Sequence, residues 1–351
     1  MDRFICVRLV QANALDLTLF QFDYDLTFAA FFLNGDRTVY GRYGSRSDRK
    51  DATKDMSLEG FREALEAALM LHQGYPANKA SLVGKQPRPT RFKSPEDYPS
   101  LAGQYKPTLD YEGKVVQSCM HCHQVRDAER RSFRDERKPI PDEVLYPWPM
   151  PQAIGLTLDP KMKAKVIRVE AGSSAAKSGF KTGDVIQALE GQPILSIADV
   201  QWVLENAAQP AKVRAHVVRG KRKLKLTLDL GGGWRRTSDI GWRVTTWDLR
   251  RMAAGGLVLE ELTHEERQEA KLAEDGLALR VKHVGQFGEH AAAKRAGFQP
   301  DDILVGVDGH SRRMAESQLL GRLLQSRFPG ETVPVTVLRA GGRVALELPM
   351  Q

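Results

Sequence analysis

An internal repeat constrains the fold of this chain more than any other feature of its sequence. The stretch GFKTGDVI at residues 179–186, followed by Glu190-Gly191, returns 118 residues later as GFQPDDIL at 297–304, followed by Asp308-Gly309. In each copy a helix of small residues ends at a glycine and a buried aromatic, and an apolar strand then runs into an acidic-Gly turn. Two copies of so specific a unit predict a repeated domain.

The repeated residues resemble the Ala-Gly-Leu/Phe-x-x-Gly-Asp-x-Ile signature of bacterial PDZ domains, as in the periplasmic heat-shock serine proteases. This resemblance implies two PDZ domains, at residues 148–232 and 233–351, each a five- to six-stranded, partly open β-barrel with helices. It also implies that the partners are proteins or peptides, because PDZ domains pair an extended chain end with the edge of a strand.

In a PDZ domain, an apolar-Gly-apolar loop points backbone N–H groups at the terminal carboxylate of a peptide. The segment Ile154-Gly155-Leu156 matches this loop in the first predicted domain, where glycine permits close approach of the backbone. The helix after Ser196 supplies the apolar pocket for the last peptide side chain, through Ile197, Val200, Val203 and Leu204. The segment is equally compatible with a plain strand start.

The second predicted domain repeats this arrangement with Ile240-Gly241-Trp242 at the loop position, and here too a plain strand start is an alternative. The apolar residues of its pocket helix are Leu319, Leu320, Leu323 and Leu324. Because the indole of Trp242 is large enough to fill part of this pocket, we expect the first domain to be the better peptide binder.

Proteolysis is not predicted, although PDZ pairs of this kind accompany a trypsin-like domain. Such a domain needs a Gly-Asn-Ser-Gly-Gly nucleophile loop, and the sequence contains no such stretch. It also lacks a Gly-x-Ser-x-Gly elbow, a Gly-rich phosphate loop and a His-Glu-x-x-His motif. No catalytic residue is therefore assigned.

Residues 1–75 read as strand, helix, hairpin and helix. Phe4 to Val10 is a predicted strand, the Asn34-Gly35 step is a hairpin signal between two apolar runs, and Ser57 caps a predicted helix that continues to His72. This order, with Gly41-Arg42-Tyr43-Gly44 after the hairpin, resembles the second half of a thioredoxin-like domain. The resemblance implies a partial α/β domain that lacks its redox Cys-x-x-Cys helix. Residues 76–107, which are rich in proline, are predicted to be a structureless linker.

Residues 108–147 carry the motif with the clearest chemistry. Cys119, Cys122 and His123 form Cys-x-x-Cys-His, in which two thiols three apart suit the two vinyl groups of a haem and the adjacent imidazole suits its iron. This predicts haem c, with His123 as the metal ligand and Met150 as the sequence-local candidate for the second ligand. A thiol–disulfide pair, a metal site short of a fourth ligand, and a chance pair of cysteines remain alternatives.

The order of the four segments resembles that of a family of bacterial thioredoxin/PDZ (seleno)proteins. This order predicts a multidomain α+β chain. Our hypothesis is a redox-associated, haem-bearing adaptor that holds partners through its PDZ domains. The alternatives are a PDZ scaffold with a structural cysteine pair and a thiol–disulfide oxidoreductase whose redox motif lies upstream.

The formal charge of +8 is not organised for binding nucleic acid, and no run of apolar residues is long enough to span a membrane. Covalent haem attachment and the PDZ pair favour an exported, periplasmic protein, although residues 1–4 do not begin a signal peptide.

Overall fold

The computed structural model describes residues 3–351, which form two compact units. The first unit contains residues 3–128 and 146–238, and the second contains residues 129–145 and 239–351. Within residues 3–351, no helix is both long and apolar enough to cross a bilayer. The chain is a multidomain α+β protein.

The elements are numbered in chain order. Helices α1 to α11 span Leu58–Gln73, Lys79–Leu82, Val115–Ser118, Cys122–Asp135, Asp142–Leu145, Ser174–Lys177, Ile197–Glu205, Thr246–Ala254, His264–Glu269, Ala292–Arg295 and Glu316–Ser326. Strands β1 to β13 span Ala30–Leu33, Val39–Tyr43, Leu156–Leu158, Val166–Val169, Val185–Leu189, Gln192–Pro193, Ala211–Arg219, Arg222–Leu230, Leu257–Glu261, Leu279–Val284, Ile303–Val307, Thr332–Arg339 and Gly342–Pro349. Short 3-10 turns lie at Ala52–Lys54, Val83–Lys85, Pro95–Asp97, Pro151–Ile154, Trp234–Thr237 and Gly288–Ala291.

The hairpin and the helix predicted near the N-terminus are confirmed. β1 and β2 pair antiparallel across the Asn34 turn, and α1 begins after Ser57, whose hydroxyl accepts the backbone N–H of Gly60 at 2.9 Å. The alanines of α1 pack on Phe32 and Tyr40 of the hairpin. Local signals suffice here because a hairpin turn and an N-cap are encoded by adjacent residues.

The thioredoxin-like interpretation of residues 1–75 has no support. The strand predicted from Phe4 to Val10 does not form over the described residues, and Ile5 and Val7 are 96% and 81% exposed. Without that strand, the hairpin is a sheet of two strands only, whereas a thioredoxin-like domain is built on a larger mixed sheet. The alternation of apolar residues in this stretch has no partner surface to bury it.

Residues 76–107 differ from the predicted structureless linker. They contain α2 and two of the short turns, and they bury Leu82, Lys85 and Leu101 to 0%, 0% and 6% exposure. Prolines restrict the backbone of this stretch but do not keep it from packing. The domain limits derived from the sequence are otherwise not tested by the structure and stay predictions.

The first unit holds a PDZ-type β-structure around one hydrophobic core. β3 pairs with β4, and a second sheet has the order β6-β5-β7-β8. The core between them includes Phe180 of the repeated signature, with Ile186 from β5 and Val200 from α7. The small helix α6 and its glycine thus turn the chain from β4 into β5, as the repeat predicts.

The second unit repeats the connections of the first. Its sheet has the order β13-β12-β11-β10-β9, so that β9 to β13 take the places of β3, β4, β5, β7 and β8. Matching backbone bonds support this correspondence: Phe180 donates to the carbonyl of Ala175 and Phe298 to that of Ala293, both at 3.1 Å. The repeat in the sequence is therefore a repeat in structure.

A buried carboxylate fixes each copy of the signature. Asp184, whose side chain is 0% exposed, accepts two bonds from Arg219 at 2.7 and 2.9 Å and the backbone N–H of Lys181 at 3.0 Å. Asp302 does the same with Arg339, at 2.7 Å for both bonds. Such a two-pronged pair is stronger and more directional than a single contact between point charges. It clamps the turn before the central strand onto the strand that follows α7 or α11.

We expect Asp184→Ala to lower the free energy of unfolding by about 2–3 kcal/mol, because Arg219 and the Lys181 N–H lose a buried acceptor. The matched control is Glu190→Ala, which removes the partly exposed partner of the exposed Arg214 and should cost less than about 1 kcal/mol. Guanidinium chloride titrations of both variants measure the difference. Equal losses of unfolding free energy in the two variants would contradict the role of burial.

The same carboxylate should make the folding stability depend on pH in acid. Burial alone would raise the pKa of Asp184, but the hydrogen bonds from Arg219 outweigh it and hold the pKa below its ordinary value. Because the folded pKa lies below the unfolded one, the stabilisation is complete above about pH 4 and is lost as the pH falls through the folded pKa. The stability gap between the wild type and Asp184→Asn should therefore shrink below pH 4, and a constant gap down to pH 2 would be inconsistent with this linkage.

Candidate functional site

Strand β3 has one free edge. Among the described residues β3 pairs only with β4, and Glu170 donates its backbone N–H to the carbonyl of Gly155 at 2.9 Å. Because hydrogen bonding alternates along an antiparallel ladder, the N–H and C=O groups of Leu156 and Leu158 face away from β4. An exposed edge of this kind is a template for another extended chain.

Gly155 sets the start of that edge. It follows the 3-10 turn Pro151–Ile154 and has φ +82° and ψ +23°, the left-handed region that favours glycine. A Cβ at this position would lie 2.1 Å from the Cβ of Ser173, so even alanine does not fit. The loop is thereby held against the N-terminus of α6, and glycine is required both by its backbone conformation and by this close approach.

Helix α7 lies opposite this edge. It starts at Ser196, whose hydroxyl accepts the N–H of Ala198 at 3.1 Å, and all but its last residue are buried. The predicted pocket residues of the first domain do come together, since one hydrophobic cluster contains Ile154, Leu156, Val200, Val203 and Leu204. They are at most 3% exposed. Their part in ligand binding stays a prediction.

The far end of the edge is bounded by α1. The hydroxyl of Ser57 donates to the carbonyl of Pro160 at 3.0 Å, and a Cβ on Gly60 would lie 2.1 Å from that same oxygen. A cavity of about 10 Å³, enough for one water, remains between these segments and the start of α7. A chain that follows β3 from Leu156 therefore meets α1 when it reaches Pro160.

A buried charge cluster that the sequence did not reveal anchors the outer side of α7. Asp199 contacts the ammonium of Lys85 at 2.8 Å and accepts the backbone N–H groups of Arg42 and Leu195 at 3.1 and 2.9 Å. The guanidinium of Arg42 stacks over the ring of Trp202, 3.7 Å from its centroid. Burial lowers the pKa of Lys85, and the charge of Asp199 opposes that shift. No sequence pattern joins these residues, since Arg42 and Asp199 lie 157 positions apart.

The structure corrects the loop predicted for the second unit. Ile240-Gly241-Trp242 lies in a turn before α8 and starts no strand. The position that matches Gly155 is Gly256, which has φ +88° and accepts the N–H of Gly285 at 3.0 Å, just before β9. The apolar-Gly-apolar pattern occurs at the wrong place because α8 is inserted between the two modules. Gly255-Gly256-Leu257 is thus the equivalent loop.

The edge of β9 is already occupied at its centre. Leu259 donates its backbone N–H to Glu316 Oε1 at 2.8 Å, and Arg250 of α8 holds the same carboxylate, with its Nε 2.9 Å from Oε1. Leu320 and Leu323 on α11 are 0% exposed, as buried as the matching residues of α7. What differs in the second unit is that helix α8 lies against β9 and α11.

The Cys-x-x-Cys-His segment lies at the start of α4. Cys119 precedes the helix and Cys122 begins it, and both thiols are free. Cys122 packs against a cluster that contains Met120, and burial raises the pKa of its thiol. Burial lowers the pKa of His123, and the neighbouring His121 lowers it further. Cys119 and Cys122 both remain partly exposed.

Met150 is not the sterically free ligand that its place in the sequence suggested. Its side chain is 8% exposed and belongs to the core around Ile154 and Leu156. Within residues 3–351, no group of three or more His, Cys, Asp or Glu side chains is placed to hold a metal ion. Haem c therefore stays a prediction.

Comparisons with known proteins identify the β-structure of the first unit. Residues 132–230 match the family model of the PDZ domain. A probable periplasmic serine endoprotease DegP-like of Pseudomonas savastanoi pv. phaseolicola is 28% identical over 184 residues, which cover 52% of this chain and 36% of that protein. The periplasmic pH-dependent serine endoprotease DegQ of Escherichia coli is 27% identical over 156 residues, covering 44% of this chain and 30% of that protein. The chain thus spans about a third of the length of these relatives.

Solved structures of HtrA-type proteins are also similar in part. The HtrA-type protease AlgW with decapeptide has 25% identity, covers 27% of each chain and gives a TM-score of 0.23. The HtrA3 PDZ domain bound to a phage-derived ligand has 22% identity and covers 22% of this chain and 81% of that one, with a TM-score of 0.19.

These findings overturn the hypothesis of a redox adaptor. Curated relatives are serine endoproteases of the periplasm, and neither they nor the family model supports a thioredoxin-like or selenoprotein assignment. The redox, haem and thioredoxin parts of the hypothesis, and the family resemblance behind them, are therefore wrong as a description of function. The PDZ interpretation is confirmed for the first unit. The chain contains a PDZ domain.

Gly155 offers a test of how tightly this loop is built. Gly155→Ala should lower the free energy of unfolding by about 2–4 kcal/mol, since it adds a clash with Ser173 to the strain of a left-handed residue. Gly191→Ala is the matched control, because Gly191 has φ +76° with no heavy atom within 4 Å of the added Cβ and should cost about 1 kcal/mol.

Chemical denaturation measures both losses. Ser173→Gly removes the atoms that clash, so adding it to Gly155→Ala should recover about half of the loss while costing little alone. If Gly155→Ala and Gly191→Ala are equally destabilising, the close approach to Ser173 plays no part.

Proposed function

We propose that this protein recognises the C-terminal ends of polypeptides through its PDZ domain and takes part in HtrA-type proteolysis as the substrate-recognising component. One observation carries the proposal: a glycine-built loop at Gly155 opens directly onto the unpaired edge of β3, within the segment that matches the PDZ family model. PDZ domains bind peptides by strand addition at such an edge. The proteolytic context is supported by the serine endoproteases among the relatives.

The chemistry of the first groove specifies its ligand. The outward N–H and C=O groups of Leu156 and Leu158 can pair with an extended backbone, which is independent of sequence. The wall is purely aliphatic, from Val200 and Leu204, so the last side chain should be apolar. The N–H of Gly155 donates to the carbonyl of Gln152 at 2.9 Å, so the donor of the loop that faces a terminal carboxylate is the outward N–H of Leu156.

We also propose that residues 239–351 form a second PDZ-type module whose groove is closed by its own chain. The strand order and the matching bonds at Gly256, Phe298 and Asp302 support the first part of this proposal. The contact of Glu316 with the Leu259 N–H supports the second, because it uses a group that a peptide would need. Peptide recognition then falls to the first module. Since the relatives are periplasmic, we propose the same compartment for this protein.

The test uses the full chain and a library of peptides with randomised C-termini. Selected ligands should end in an aliphatic residue, and converting the terminal carboxylate to an amide should weaken binding at least tenfold. Hydrogen exchange should then slow at Leu156 and Leu158 on peptide addition. No change is expected at Leu257–Glu261.

Two outcomes would count against the proposal: equal binding of acid and amide forms, or protection confined to β9. The proteolytic part is tested separately. An HtrA-type protease from the same cells should cleave an unfolded protein with the selected C-terminus faster when this chain is present, and an excess of free peptide should cancel the gain. An unchanged rate would leave peptide binding standing and remove the link to proteolysis.

The contact between α1 and Pro160 should limit the length of the ligand. Gly60→Ala places a Cβ 2.1 Å from the Pro160 carbonyl, so α1 must move away from the end of β3. We expect affinity for six-residue peptides to rise about threefold or more, while affinity for three-residue peptides stays unchanged. Gly232→Ala is the control, since no atom lies within 4 Å of its added Cβ. Isothermal titration measures both, and equal effects on short and long peptides would refute the length limit.

A further inference from the structure

The β7–β8 hairpin carries a concentration of positive charge that its counterpart lacks. Residues 211–230 contain seven Lys and Arg residues against one Asp, a net charge of +6. The equivalent hairpin β12–β13, residues 332–349, contains two Arg residues and one Glu, a net charge of +1. The two hairpins occupy the same place in the two modules, so the fold itself does not require this charge.

Most of these cations have no carboxylate partner. Arg219 is paired with Asp184 and Arg214 with Glu190, at 2.7 and 2.9 Å. Among the described residues, the other five cations of the hairpin have no ion pair, and all five are exposed: Lys212, Lys221, Arg222, Lys223 and Lys225. Their charge is directed to the solvent or to something that binds there.

The arrangement does little for the stability of the hairpin. Arg219 lies directly opposite Arg222, where like charges repel, and Lys212 is the one cation of the five that faces a carboxylate across the ladder, Asp229. Lysines on an edge strand also discourage unwanted pairing, which is the simplest alternative explanation. However, β13 is the edge strand of the other module and has a single cation, Arg343. Protection of an edge therefore does not explain the three cations of β8, nor Lys212 and Lys221, which lie outside that strand.

The charge continues across the sheet and surrounds apolar side chains. Lys165 lies opposite Val185, Val185 opposite Val218, and Val218 opposite Lys223, so these four residues form one row on one face. Ile167, at the register shift of β4, is 44% exposed, and Val185 and Val218 are half-buried. The cations therefore lie beside partly exposed aliphatic side chains.

We propose that this face docks onto a bilayer surface that contains anionic phospholipid. Each lysine or arginine near such a surface contributes attraction without a defined geometry, and aliphatic side chains can enter the boundary between head groups and acyl chains. The strands are nine residues long, about 30 Å, so several cations reach the surface at once. Nucleic acid fits less well, because this face offers no Phe, Tyr or Trp side chain on which bases can stack.

The test is flotation of the full chain with vesicles of phosphatidylcholine, with and without 30 mole per cent phosphatidylglycerol (roughly the negative charge density of an anionic leaflet). Binding should require the anionic lipid and should fall steeply between low and high salt. The variant K212Q/K221Q/K223Q/K225Q should bind at least tenfold more weakly. The control K294Q/R295Q/R312Q/R343Q removes the same charge from the second unit and should bind like the wild type.

Each outcome decides the proposal. Equal losses in the two quadruple variants would mean that only net charge matters and would overturn it, as would equal binding to neutral vesicles. A 20-base-pair DNA duplex that displaces the protein from vesicles at equimolar phosphate would make nucleic acid the partner instead. Circular dichroism and thermal unfolding of both variants guard against misfolding. Peptide affinity, measured in parallel, should be unchanged, which separates this surface from the groove of β3.

Discussion

The buried carboxylate at the start of the central strand is the interaction on which both modules depend. Asp184 and Asp302 each close the turn that precedes the strand, and each is held by an arginine from the strand after the pocket helix. This contact ties the N-terminal and C-terminal halves of a module together with one charge pair. It also explains why the aspartate recurs in both copies of the sequence repeat although the residue before it differs, Gly183 in the first and Asp301 in the second, because three donors require a buried acceptor there.

Features encoded by neighbouring residues were predictable from the sequence. The repeat led to the PDZ domain, the Asn34 turn to the hairpin, and Ser57 to the start of α1. The helix after Ser196 and the burial of its apolar residues were also predictable, since Val200 and Leu204 follow the periodicity of a helix, while their part in ligand binding stays a prediction. Predictions failed where a short pattern matched a motif without the neighbouring strand that the motif requires. Ile240-Gly241-Trp242 matches the loop pattern, but the structure places the loop at Gly256.

The Cys-x-x-Cys-His motif shows the same limit more sharply. Its spacing is chemically meaningful, but the spacing alone does not determine what packs beside Cys122, and that is decided by residues about 20 to 110 positions away in sequence. The cluster of Asp199, Lys85 and Arg42 was missed for the complementary reason. A charge that is buried by tertiary contacts is indistinguishable in sequence from a charge on the surface, so only the fold reveals it.

Helix α7 belongs to two cores at once. Its inner side packs with Leu156 in the PDZ domain, and its outer side holds the N-terminal segment through Asp199 and through the indole of Trp202, which donates to the Gly84 carbonyl at 2.7 Å. The N-terminal segment and the groove are therefore thermodynamically linked. A ligand that binds in the groove and stabilises α7 must also raise the free energy needed to detach residues 82–85. Conversely, detaching those residues must weaken the affinity for the ligand by the same factor. The N-terminal segment therefore contributes to the affinity of the PDZ domain for its ligand.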